Sequence, residues 1–164
     1  MNIILTRPLI DTENLMTELL KLGHNIIHIP TLKITSLNMK PIDLSQFKAL
    51  IFTSANSVRN LNILSSKSDI LCFCVGSITE KIARGKGFIN TISAEGTVHA
   101  LKNLISNSEY LEKDSKLAYV CGDQITLDLE KELVAEGFRV KKIINYSSSK
   151  IDIINEKNIE LIKK

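Results

Sequence analysis

One phrase recurs along this chain of 164 residues and limits its fold more than any other feature. A short apolar run rich in β-branched residues ends in small polar residues, and a pattern of helical spacing follows. The first copy is Ile3-Ile4-Leu5, then Thr6-Arg7-Pro8, then a helix over about residues 11–22. Leu15, Met16, Leu19 and Leu20 put one apolar face along that helix. Asp11 is placed to cap it and Gly23 to end it, and residues 25–30 form the next strand. The second copy is Ala49-Leu50-Ile51-Phe52, then Thr53-Ser54-Ala55-Asn56-Ser57, then a helix over 58–64. The third is a strand over 70–75, then Gly76-Ser77-Ile78-Thr79, then a short helix ending near Gly85 or Gly87. A further helix opens at Gly96-Thr97 and buries Val98, Leu101, Leu104 and Ile105. The last copy is a strand over 117–120, then Cys121-Gly122-Asp123, then a helix to 136 that Gly137 closes. Ile125, Leu129 and Leu133 line one side of it, and a long strand over 138–146 follows.

Strands that alternate with helices, and are apolar nearly throughout, predict an α/β protein with a parallel sheet covered on both faces. Two segments break the rhythm. Residues 33–45 are polar and hold Pro41; residues 146–150 are a serine run after a strand. They read as two linkers, near 34–36 and 146–149. Residues 36–145 then form one complete α/β unit, and residues 1–33 with 150–164 form an incomplete one, closing on a helix over about 155–164. Two strands and one or two helices are marginal alone.

Composition narrows the function. No apolar run approaches the roughly 18 residues of a membrane span, and the N-terminus lacks a basic leader pattern. Cys72, Cys74 and Cys121 show no disulfide framework, which suits a reducing, cytoplasmic setting. The net charge of +3, from 21 basic and 18 acidic residues, is too mild for a nucleic-acid surface. It fits an anionic small molecule only weakly.

Ligands of open α/β sheets bind beyond the carboxyl ends of the strands. Four such ends carry small or polar residues: Thr6 and Arg7; Thr53, Ser54, Ala55 and Asn56; Gly76, Ser77, Ile78 and Thr79; Gly122, Asp123 and Gln124. Free N–H groups at helix N-termini attract anions, and the hydroxyls of Ser54, Ser57, Ser77 and Thr79 add donors. Each end alone reads as an ordinary cap; four along one edge point to a site for a ligand with several carboxylates or phosphates. Arg7 can hold a carboxylate through two nitrogens. Tyr146 leaves a strand for the return linker, either as a weak general acid or anchor, or as a tyrosine packed on its neighbour. Gly85-Lys86-Gly87 follows a helix, not a strand, and no phosphate-binding P-loop run occurs. Cys72 and Cys74 face one way on a strand and read as core thiols. His24, His28 and His99 have no ligand partner at metal spacing.

Leu5-Thr6-Arg7-Pro8, Gly23-His24 with Pro30, and Ile51-Phe52-Thr53-Ser54-Ala55-Asn56-Ser57-Val58 resemble uroporphyrinogen-III synthase. So do Val75-Gly76-Ser77-Ile78-Thr79 with Gly87-Phe88, and Gly122 with Leu129, Leu133, Gly137 and Tyr146. The order and spacing of these pieces carry the resemblance, and the chain covers about the first two-thirds of the family pattern. The resemblance implies two flavodoxin-like parallel-sheet units joined by a two-stranded linker, the first unit incomplete here. It implies a hydro-lyase without cofactor or metal, which closes hydroxymethylbilane to uroporphyrinogen III with inversion of the last ring and loss of water. The implied partner is that linear tetrapyrrole, rich in carboxylates and held largely by backbone amides; neither nucleic acid nor membrane is implied. Tyr146 matches a family tyrosine linked to departure of the hydroxyl, and Thr79 and Ser54 match positions near the ligand. The family is expected to be monomeric. This shorter chain, as a fragment, a truncated protein or one half of a pair, is expected to turn over poorly alone. It is also expected to expose apolar edge surface over 3–5 and 26–29, through which it could pair. The alternatives are a non-enzymatic flavodoxin-like module for an anionic small molecule, and a remnant that only pairs through its sheet edge.

Overall fold

The computed structural model describes residues 1–64, 69–151, 156, 159 and 160. The chain divides into two compact units, Met1–Thr35 with Ser148–Lys164, and Ser36–Ser147.

In the first unit, β1 (Asn2–Leu5) pairs in parallel with β2 (Asn25–His28), and α1 (Leu9–Lys21) connects them. Pro8, not Asp11, stands at the cap of α1, with no side-chain cap bond; Asp11 lies in the first turn. The buried Thr12 hydroxyl donates back to the Pro8 and Leu9 carbonyls, which satisfies this turn. The apolar stripe of α1 is wider than two strands can cover. Met16 and Leu19 are half-buried, while Leu15 and Leu20 on its flanks are 46% and 55% exposed. Exposure on the sheet is smaller than expected: Ile4 is exposed, Ile3, Leu5, Ile26 and Ile27 are half-buried, and Ile29 is buried. Of the expected terminal helix, Glu156, Ile159 and Glu160 are helical, and the remaining residues over 155–164 lie outside the described ones.

The second unit is built on β4 (Ala49–Phe52), β5 (Leu71–Val75), β6 (Thr91–Ala94), β7 (Lys116–Gly122) and β8 (Arg139–Lys150). Their spatial order is β8-β7-β4-β5-β6, every pair parallel, with β3 (Leu32–Ser36) beside β8 at the edge. Counted within the unit the order is 3-2-1-4-5 when β4 is taken as the switch strand. That is a doubly wound order; a flavodoxin-like sheet runs 2-1-3-4-5. The direction of winding reverses between β4 and β7. The apolar runs alternate between two cores. Leu50, Phe52, Cys72, Cys74, Ala118 and Val120 face α2 (Ala55–Arg59) and α3 (Gly76–Gly85). Ala49, Ile51, Phe73, Leu117, Tyr119 and Cys121 face α4 (Val98–Ser106) and α5 (Leu129–Ala135). Strands buried on both sides need apolar residues at both parities, which is why they read as continuous apolar runs.

Three elements differ from the sequence reading. α2 is one short helix beginning at Ala55, because Ser54 caps it; beyond it Ile63 bridges to Ile42 rather than continuing a helix to 64. α5 starts at Leu129, where the Asp128 carboxylate accepts the Lys131 N–H, and not directly after Asp123. β8 runs on through the serine run to Lys150, past the expected strand end at 146.

Candidate functional site

At the carboxyl end of β4, the Ser54 hydroxyl oxygen accepts the Asn56 N–H at 3.2 Å. The Ser57 amide and hydroxyl both donate to the Ser54 carbonyl, at 3.1 and 2.6 Å. The Ser57 hydroxyl is therefore used within this turn and is not a spare donor. Asn56 is buried; its Oδ1 accepts from Arg59 Nη1 at 2.8 Å, and its carbonyl accepts from Asn60 Nδ2 at 2.8 Å. Ala55 opens the helix and is half-buried.

On β5, Gly76 begins α3 at φ +75°, a conformation glycine adopts without strain. The helix has no side-chain cap bond at its N-terminus. Ser77 and Ile78 lie there, Ile78 exposed, and Thr79 is buried. A ten-residue helix that starts without a cap presents N–H groups and a positive dipole end to an anion.

β7 ends beside Tyr146 of β8, and β8 runs on to Lys150. Gly122 stands opposite Tyr146, and the Asp123 N–H donates to the Tyr146 carbonyl at 3.1 Å. The Tyr146 ring lies on Gly122 so closely that a Cβ there would stand 2.6 Å from ring atom Cζ. Tyr146 is buried and Asp123 exposed. One further group emerges here that the sequence reading did not single out. Tyr119 is buried beneath the ends of β4 and β7, with its hydroxyl 3.4 Å from Thr53 Oγ1. Burial pushes its phenol up to about 12, with the Thr53 hydrogen bond opposing. Its sequence signal was only a tyrosine inside an apolar strand, which reads as core. The neighbouring Cys121 thiol is likewise pushed up by burial, against the opposing charge of Lys142.

The structure thus brings Ser54, Ala55, Asn56, Gly76–Thr79, Gly122, Asp123 and Tyr146 to the carboxyl ends of neighbouring strands in one unit. Thr6 and Arg7 belong to the other unit, at the end of β1. The Thr6 carbonyl accepts the Thr31 N–H at 2.9 Å, and His28 Nε2 donates to the Arg7 carbonyl at 2.9 Å. Both Thr6 and Arg7 are exposed. A cavity of about 560 Å³ lies at the opposite end of the sheet, against Ile70, Leu71, Asn90 and Thr91. Among the described residues no group of three His, Cys, Asp or Glu side chains is arranged to hold a metal. Cys72 and Cys74 sit in one core and Cys121 in the other. No described helix is long and apolar enough to cross a membrane.

Comparison with known proteins bears on the fold and the family. No curated protein matches by sequence. Among solved structures, a mutant uroporphyrinogen III synthase from the extreme thermophile Thermus thermophilus is similar at a TM-score of 0.57 and 16% identity, over 95% of this chain and 64% of that one. A uroporphyrinogen-III synthetase from Helicobacter pylori is similar at 0.56 and 16%, over 84% of this chain and 61% of that one. At such identity the likeness establishes the fold, and this chain spans less than two thirds of either structure. The sequence profile described as uroporphyrinogen-III synthase HemD matches residues 13–164, nearly the whole chain. The strand-end residues of the second unit lie inside that match, and on this evidence the chain belongs to the uroporphyrinogen-III synthase family.

Proposed function

We propose that this chain acts as a uroporphyrinogen-III synthase, a hydro-lyase that closes hydroxymethylbilane to uroporphyrinogen III. The observation that carries this reading is the family match over residues 13–164. The reversal of winding between β4 and β7 supports it, since ligands of doubly wound sheets bind outside the strand ends at that point. In this reading, residues 36–145 and residues 1–33 with 150–164 are two α/β units joined near 34–36 and 146–149.

The chemistry assigned to the site is as follows. A proton from the Tyr146 phenol goes to the terminal hydroxyl of the bilane, which leaves as water and gives a cationic azafulvene. Attack on it by the substituted carbon of the terminal ring forms a spiro intermediate. Fragmentation and recombination then invert that ring. The proton lost from carbon at final closure restores the phenol, so the balance needs no cofactor. The protein's larger task is to hold a flexible chain folded for closure. Gly76, Ser77 and Ile78 at the start of α3 would bind carboxylates through their amides, with Thr79, Ser54, Ala55, Asn56, Gly122 and Asp123 shaping the surface. Arg7 and Thr6 would take a carboxylate on the first unit. A cytoplasmic setting goes with this reading, and three free buried thiols suit it.

The test is a coupled assay that starts from porphobilinogen and resolves the products. Isomer III above the isomer I that forms spontaneously supports the reading; isomer I alone refutes it.

A further inference from the structure

We propose that Asn145 is the positioning residue that sets the Tyr146 ring at this site; the role rests on the reading of Tyr146 given above. β8 carries one residue more than β7 where they pair. Cys121 stands opposite Ile144 and Gly122 opposite Tyr146, which leaves Asn145 as the bulged residue. Without the bulge, Asn145 would stand opposite Gly122. Tyr146 would then move on to Asp123, away from the one position on β7 with no side chain to block a ring.

The bulge is tied on two sides. The Asn145 side chain is buried, and its Nδ2 donates to the Ser57 carbonyl at 2.8 Å. Ser57 closes the turn that opens at Ser54, so this bond joins the Tyr146 strand to the turn over 54–57. The Asn145 backbone carbonyl accepts the Leu37 N–H at 3.0 Å. Yet Asn145 Oδ1, sealed from solvent, has no hydrogen-bond partner among the described residues. The bond to Ser57 fixes the amide's orientation, because a carbonyl can only accept. A half-satisfied buried amide is a poor choice for stability alone, and a leucine of similar size would avoid the loss. Placement of Tyr146 and of the turn explains why an amide stands there.

Asn145→Leu tests this, since it removes the Ser57 bond and the unsatisfied oxygen together. The expected Tm lies within about 3 °C of the parent. The NOE between the Tyr146 ring and the Gly122 α-protons should fall at least about twofold. In the coupled assay kcat should drop about tenfold with KM little changed, as for an interaction made only in the transition state. A lowered Tm with an unchanged NOE assigns a purely structural role and overturns the proposal, as does an unchanged NOE at an unchanged Tm. If the leucine variant does not fold, Asn145→Thr, which keeps a shorter donor, takes its place; if neither folds, the role is structural and the proposal fails. The NOE is read without substrate, so a parent protein that makes only isomer I refutes the functional reading and leaves this test standing.

Discussion

At the scale of the residue, Gly122 decides where Tyr146 can go. A methyl group there would stand 2.6 Å from Tyr146 Cζ, inside any tolerated contact, so ring or strand must shift. Gly122→Ala is expected to destabilise by about 1–3 kcal/mol, as overpacking does, and to slow the coupled reaction; an unchanged Tm and rate would refute the contact. Tyr146→Phe keeps the ring and loses the proton. A partial loss of rate at an unchanged Tm is expected, and full turnover would remove its chemical role. The thiols give a prediction in pH. Burial pushes Cys74 up to about 12 from an ordinary value near 9, and pushes Cys72 up as well. A pKa raised by folding contributes stability that is fully present below the unfolded value and is lost as pH rises through the folded one. Stability measured by denaturant should therefore fall from about pH 9 upward, and a thiol reagent should react slowly until the protein unfolds. Some residues were legible in the sequence and others were not. The small polar strand ends stand out as interruptions between apolar runs. Tyr119 and Asn145 do not, because each sits inside a strand, where a tyrosine or an asparagine gives no periodic signal. The use of the Ser57 hydroxyl within its own turn is also invisible until the turn is folded.

At the scale of the element, the sequence shows the mixed α/β fold and its parallel sheet, because strands covered on both faces must be apolar at every position. It hides β6. Thr91-Ile92-Ser93-Ala94 is half polar, and the polarity belongs to a clamp. Thr91 and Ser93 donate to the Glu80 carboxylate at 2.9 and 2.6 Å, and Arg84 donates from the next turn of α3 at 2.9 Å. The Ser93, Arg84 and Thr91 bonds hold the Glu80 carboxyl below its ordinary range. A depressed carboxylate contributes stability that is present above its unfolded value and lost as pH falls through the folded one. Glu80→Gln is expected to lower Tm by roughly 3 °C at neutral pH, with the two proteins converging in acid. A constant gap across pH would show that the charge is not involved. The length of β8 was hidden as well, since serine and lysine mask an extended backbone whose partner is distant in sequence. In the core, Phe73 is fully buried against α4, so Phe73→Ala should cost about 3–5 kcal/mol and lower Tm by about 10 °C; a loss under about 1 kcal/mol would contradict the packing described.

At the scale of the molecule, one unit is a doubly wound sheet with two cores, and the described part of the other holds a pair of parallel strands under a helix whose apolar stripe exceeds them. The chain spans 64% and 61% of the lengths of the two solved synthases it resembles. On the proposed reading, the modest net charge of +3 leaves anion binding to backbone amides and Arg7 more than to a basic surface. The isomer ratio of the porphyrinogen formed from hydroxymethylbilane tests the account most directly. The account predicts isomer III above the spontaneous background, rising with protein concentration and reduced in Tyr146→Phe. Isomer I alone, at every protein concentration, would contradict it.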